Sequence, residues 1–160
     1  MKIRIGSKTG STSSLAVALL LALAANVPLA AIGNDSSPVG LWKSMDEQSG
    51  KPKALVRIAD NGGELRGKIE KLYKDDGTEH QPPCEHCEGA LKNQPIVGMT
   101  ILSGMKPDDG AYGGGQILDP GNGKTYRSKM TLIEGGKKLQ VRGYIGTPLL
   151  GRTQTWTREP

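Results

Sequence analysis

His80, Cys84, His86 and Cys87 fall in one eight-residue window, and three chemistries fit that cluster. Two cysteines separated by two residues can close a disulfide. Such a bond would staple the connection from Tyr73 to Pro95, which is long for an unbraced loop in a compact domain. Two thiolates and two imidazoles also match the ligand number of tetrahedral zinc. The near-consecutive spacing of Cys84, His86 and Cys87 argues against that metal set, since no second Cys or His pair stands elsewhere in the chain. A Cys-x-x-Cys can also run thiol–disulfide exchange, usually where it opens a helix beside a βαβ sheet, and no helical pattern follows Cys84 here. A structural Cys84–Cys87 disulfide is the expectation. Its small ring places the stabilisation near the low end of the roughly 0–5 kcal/mol range.

Other candidate chemistry is thin. Asp108, Asp109 and Asp119 do not have the spacing of an EF-hand loop and read as solvated turn acids. Gly113-Gly114-Gly115 and Gly104 to Gly110 read as a flexible glycine loop, with no following helix whose dipole would cradle phosphate. The serines are scattered and no Gly-x-Ser-x-Gly elbow occurs. No catalytic residue, no cofactor and no enzymatic activity are therefore expected.

The start of the chain has the composition of an export leader. Lys2, Arg4 and Lys8 precede eleven apolar residues, Leu15 to Ala25, followed by Pro28 and the small-residue stretch Ala31-Ile32-Gly33. That run is shorter than the roughly 20 residues a spanning helix needs. A cleaved signal peptide over 1–33 is expected, with a mature chain over 34–160 that is periplasmic or secreted, soluble rather than membrane-spanning, in an oxidising compartment. The whole chain of 160 residues carries 21 bases, 16 acids and a formal charge of +5. Without Lys2, Arg4 and Lys8 the mature part keeps 18 bases against the same 16 acids, too little excess for a nucleic-acid binder.

The mature part must position the cysteine cluster with β-structure. Turn signals are dense: Asp60-Asn61-Gly62-Gly63, Gly121-Asn122-Gly123 and Glu134-Gly135-Gly136 each separate two β-like runs. The pattern predicts eight strands near Val39–Ser44, Lys53–Ala59, Glu64–Leu72, Ile96–Leu102, Gly115–Asp119, Lys124–Ile133, Lys138–Ile145 and Thr153–Arg158. Tyr126, Ser128, Met130 and Leu132 share one face of their strand. Leu139, Val141, Gly143 and Ile145 share one face of the next. One dry face on each strand of a meander predicts an all-β, antiparallel up-and-down barrel of about eight strands with one long cysteine-containing loop.

Strand parity sorts the connections between two ends. Trp42 and Arg158, at the end of the last strand, fall together. Gly40-Leu41-Trp42 resembles the Gly-x-Trp opening of lipocalin-like (calycin) proteins, in which an arginine near the last strand packs over that indole and closes the barrel base; the resemblance implies that Arg158 does so over Trp42. A wider resemblance spans 39–158. It rests on Gly40-Leu41-Trp42, Cys84-x-x-Cys87, Pro95-Ile96-Val97-Gly98-Met99, Gly115-Gln116-Ile117-Leu118-Asp119-Pro120 with Gly123-Lys124-Thr125-Tyr126, and the tail from Val141 through Gly151-Arg152-Thr153-x-x-Trp156-x-Arg158. In these segments the chain is similar to the exported proteins of domain-of-unknown-function family 2147. The resemblance implies an exported, lipocalin-like β domain and supplies no catalytic residue.

The opposite end becomes a mouth ringed by the first hairpin loop, the cysteine loop and Gly146 to Gly151. Aliphatic inward residues point to a small apolar or lipid-like ligand, with Tyr126, Met130, Val141, Leu149 and Leu150 as candidate contacts. The alternative is an envelope protein acting through outward Arg127, Lys129, Arg142 and Tyr144 on a protein or glycan partner. A third class is chemistry at Cys84 and Cys87 themselves.

Overall fold

A computed structural model describes residues 36–160, and the predicted leader lies outside the described residues. Nine strands form one sheet: β1 (Gly40–Met45), β2 (Pro52–Asp60), β3 (Leu65–Tyr73), β4 (Glu79–His80), β5 (Thr100–Asp108), β6 (Ala111–Asp119), β7 (Lys124–Ile133), β8 (Lys138–Tyr144) and β9 (Gly151–Glu159). The order β2-β1-β9-β8-β7-β6-β5-β3-β4, with a further β2–β3 pairing, closes eight strands into a ring and leaves β4 as an extra strand. Every pairing is antiparallel. The all-β closed barrel read from the pattern is the fold. Among the described residues no helix is long and apolar enough to cross a membrane.

Alternation sets the inward faces. In β7, Ser128 and Met130 are buried while Arg127 is exposed and Lys129 only partly covered. Cross-strand register aligns Met130 with Val141 and Leu132 with Leu139, and Val141 with Gln154. Trp42, Val56, Ile58, Leu65, Ile69, Leu102, Met105 and Trp156 complete one buried cluster inside the barrel. Ser128 is fully buried, and its Oγ finds no hydrogen-bond partner among the described residues. Gly115 and Gly143 flank it across the ladder. An unmade hydrogen bond costs about 1–3 kcal/mol when the group is dry. Ser128→Ala is therefore expected to raise stability by about 1 kcal/mol, read as a higher urea midpoint with an unchanged slope. A lower midpoint would show that the hydroxyl is satisfied.

Two local expectations are corrected. The glycine-rich segment 104–115 is a hairpin, not a flexible loop: β5 and β6 run through it and turn only at Asp109-Gly110. Both strands carry a bulge there, between Leu102 and Met105 opposite β3 and between Tyr112 and Gly115 opposite β7. Gly104 and Gly114 supply the positive φ, +71° and +75°, which a bulge uses to re-aim its strand. Second, the strand expected at Ile96–Leu102 begins at Thr100. Gly98 sits at φ +94°, and Met99 N–H turns back to the Ile96 carbonyl (3.1 Å). The long cysteine connection is present as expected and carries short elements of its own. It holds β4, which pairs Leu72 with His80 and Tyr73 with Glu79, and a short 3-10 turn at Gly89–Leu91.

A closed base and a lined cavity

Arg158 stands at the closed end. Its guanidinium carbon lies 4.3 Å from the centroid of the Trp42 ring, and Trp42 is fully buried. The guanidinium donates from Nε to the Gly136 carbonyl (2.8 Å), from one terminal nitrogen to Val39 O (3.0 Å) and from the other to Ser37 O (2.7 Å). The Trp42 indole N–H donates to Pro38 O at 2.7 Å. Gly40 has φ +144°, and a Cβ there would stand 2.7 Å from the Arg158 guanidinium. The glycine of Gly-x-Trp is thus required twice, by backbone conformation and by the arginine packed on it.

The other end opens into a cavity of about 780 Å³. Ala54, Val56, Ile69, Ile117 and Val141 form an apolar lining, joined by Pro82 and Ile96 from the cysteine connection. Four polar connections ring the mouth, and the first is tied to two of its neighbours. Lys51 Nζ donates to the Asp75 carbonyl (2.6 Å), and Arg152 pairs with Glu47 (3.2 Å). In the first of these loops, the backbone N–H of Ser49 above all holds the Asp46 carboxyl below its ordinary range, with the Ser49 hydroxyl adding to the effect. Asn122 Nδ2 donates to Asp119 (3.0 Å) and to the Tyr126 hydroxyl (3.1 Å). The turn from Tyr144 to Gly151 is braced by Arg142, whose guanidinium donates to Pro148 O (2.5 Å) and Thr153 Oγ1 (2.7 Å).

Of the five candidate contacts, Tyr126, Val141 and Leu150 line this cavity. Met130 does not, because it sits deeper, fully buried and opposite Tyr112. Leu149 stands outside the lining, 88% exposed on the turn. Cys84 and Cys87 are bonded to each other, with Cα atoms 5.4 Å apart. Both are buried, and Cys84 Sγ lies 3.6 Å from Pro120 O. The bond uses both sulfurs. His80 lines the cavity while His86 faces solvent. Among the described residues no three His, Cys, Asp or Glu are grouped to hold a metal ion.

Sequence reasoning missed Gln154, Ser44 and Ile117 in the lining. The first two are polar residues turned inward, which alternation by polarity assigns to the wet face.

Comparison with known proteins agrees with the architecture. The family model described as "Uncharacterized protein conserved in bacteria (DUF2147)" matches residues 40–158. Among solved structures the chain is similar to protein HP1028 of Helicobacter pylori, described as belonging to the lipocalin family. The two share 20% identity at a TM-score of 0.66, over 78% of this chain and 84% of that one. No curated protein matches the chain.

Proposed function

Because the chain belongs to the DUF2147 family of bacterial proteins and folds as a lipocalin-like barrel, we propose that it is an exported, non-enzymatic carrier that holds one small apolar or lipid-like guest. The cavity carries this reading. At about 780 Å³ it falls within the roughly 300–1,000 Å³ of small-molecule sites, and its aliphatic wall under a polar rim is their usual chemistry. The basic n-region and eleven-residue apolar run support export, and the disulfide fits an oxidising destination.

The test is direct titration with 1,6-diphenyl-1,3,5-hexatriene, a hydrocarbon that fluoresces when removed from water. Saturable, one-to-one enhancement is the expected result. Leu150→Asp puts a carboxylate on the lining and is expected to weaken uptake about fivefold, because the charge must stay hydrated beside an apolar guest. Leu149→Asp, outside the lining, should change affinity less than about twofold. Both leucines are exposed, 72% and 88%, so neither variant should move the urea midpoint. Absence of saturable enhancement in the unsubstituted protein would overturn the carrier reading.

A second reading draws on the outer wall. Lys129 lies directly opposite Arg142 in the β7–β8 ladder, a like-charge placement that weakens a sheet. Neither belongs to any of the six ion pairs of the described residues. An anionic protein or glycan partner would relieve that repulsion.

A further inference from the structure

The cavity contains a hydrogen-bond donor whose direction the fold has fixed. Gln154 and Trp156 are two residues apart on β9 and so share its inward face. The Trp156 indole N–H donates to Gln154 Oε1 at 3.2 Å, and Trp156 is buried. An indole nitrogen is a donor only. The amide must therefore turn its oxygen toward Trp156 and its NH2 group away. Gln154 lines the cavity and pairs across the ladder with Val141. Among the described residues no acceptor takes a hydrogen bond from its Nε2.

The surroundings decide what such a donor can recognise. The wall beside it is aliphatic, and the cations of the lining, Lys51, Lys53, Lys74 and Arg152, all lie at the mouth ends of their strands or in the mouth loops. Arg152 shares the face of Gln154 one pleat nearer the mouth, but its side chain is 76% exposed and paired with Glu47, so a carboxylate carried down to Gln154 would leave water for a cation already engaged, which is costly. A neutral oxygen would meet a ready donor at little loss.

Resting on the carrier reading, we infer that Gln154 is a specificity-determining residue. Its Nε2 donates to a carbonyl oxygen of the guest, so the barrel prefers neutral amphiphiles that carry a ketone, ester or amide within the barrel over plain hydrocarbons.

Two probes separate this inference from the carrier reading. The ketone 6-propionyl-2-(dimethylamino)naphthalene shifts its emission to longer wavelength when its carbonyl accepts a hydrogen bond, whereas diphenylhexatriene has no acceptor. Both are titrated into the full chain at pH 8. Gln154→Leu removes the donor and also the partner of Trp156. Gln154→Glu keeps an oxygen for the indole while replacing the donor with a carboxylate oxygen, so it carries the test if the leucine variant fails to fold. The expected result is ketone binding weakened about tenfold in both variants, with emission moved to shorter wavelength, and a loss of diphenylhexatriene affinity in Gln154→Leu several-fold smaller than the loss of ketone affinity. Unchanged ketone affinity and emission in the variants would overturn the inference and leave the carrier reading intact. So would an unsubstituted protein that takes up diphenylhexatriene but not the ketone. If neither probe binds the unsubstituted protein, the carrier reading falls and this inference with it.

Discussion

Arg158→Ala is expected to lower the unfolding free energy by about 3 kcal/mol and to leave hydrocarbon uptake unchanged under native conditions. The substitution removes three charge-assisted hydrogen bonds to the carbonyls of Ser37, Val39 and Gly136. It also removes the cation over the Trp42 ring, worth about 0.5–2 kcal/mol. The sum is smaller than the parts, because the freed carbonyls of 37 and 39 lie near the surface and regain water. Arg158→Lys should restore less than half of the loss, since one ammonium cannot reach three divergent carbonyls and also cover an indole. Urea denaturation of the three proteins measures this. A midpoint for Arg158→Ala equal to that of the parent would show that β1 and β9 close without it.

The second large effect is expected at the mouth. Gly123 has φ +72°, and a Cβ there would overlap the carbonyl of His86. Gly123→Ala therefore adds left-handed backbone strain to a steric collision with main chain, and main chain cannot rotate aside as a side chain can. The connection carrying Cys84 and Cys87 should lift off the β6–β7 turn. Hydrogen exchange should quicken at Cys84, Asn93 and Ile96, whose amides are bonded within that connection, and the Cys84–Cys87 bond should become at least about tenfold more accessible to dithiothreitol. Uptake should weaken as well, because Pro82 and Ile96 line the cavity. Unchanged exchange over 83–97 would mean that the turn, rather than the connection, gives way.

How far the sequence could be read depended on how each residue's local signal related to its long-range surroundings. The strand Lys124–Ile133 was legible to the residue, because strict alternation is bounded there by Asn-Gly and Glu-Gly-Gly turns. The Gly104–Gly115 region was not. Its glycines serve two bulges that face each other across β5 and β6, with the Gly115 Cα 3.4 Å from where a Gly104 Cβ would be. Glycine content alone looks the same in a bulge and in a loop. The two-residue β4 is too short for any period to register. At the site, Tyr126 and Val141 could be found because they are inward residues of clear strands. Gln154 could not, since its role depends on an indole two residues away and on cross-strand neighbours far off in the chain. The disulfide was legible because two cysteines at this spacing in this chain have only each other.

The hydrogen bonds that close the base join residues 119 and 121 positions apart, and this bears on how the molecule is made. The strands from β1 to β8 can zip up hairpin by hairpin, but β1 has no partner on its outer side until β9 is present. Any chain ending before Gly151 is a curved sheet with two raw edges, each a template for joining a second copy. The β1–β9 pairing has the largest sequence separation in the barrel, and contacts of that kind form slowly. Pairing of β9 with β1 and β8 removes both raw edges of the ring at once, so loss of the C-terminal strand is expected to cost the molecule its closure and not only nine residues of packing.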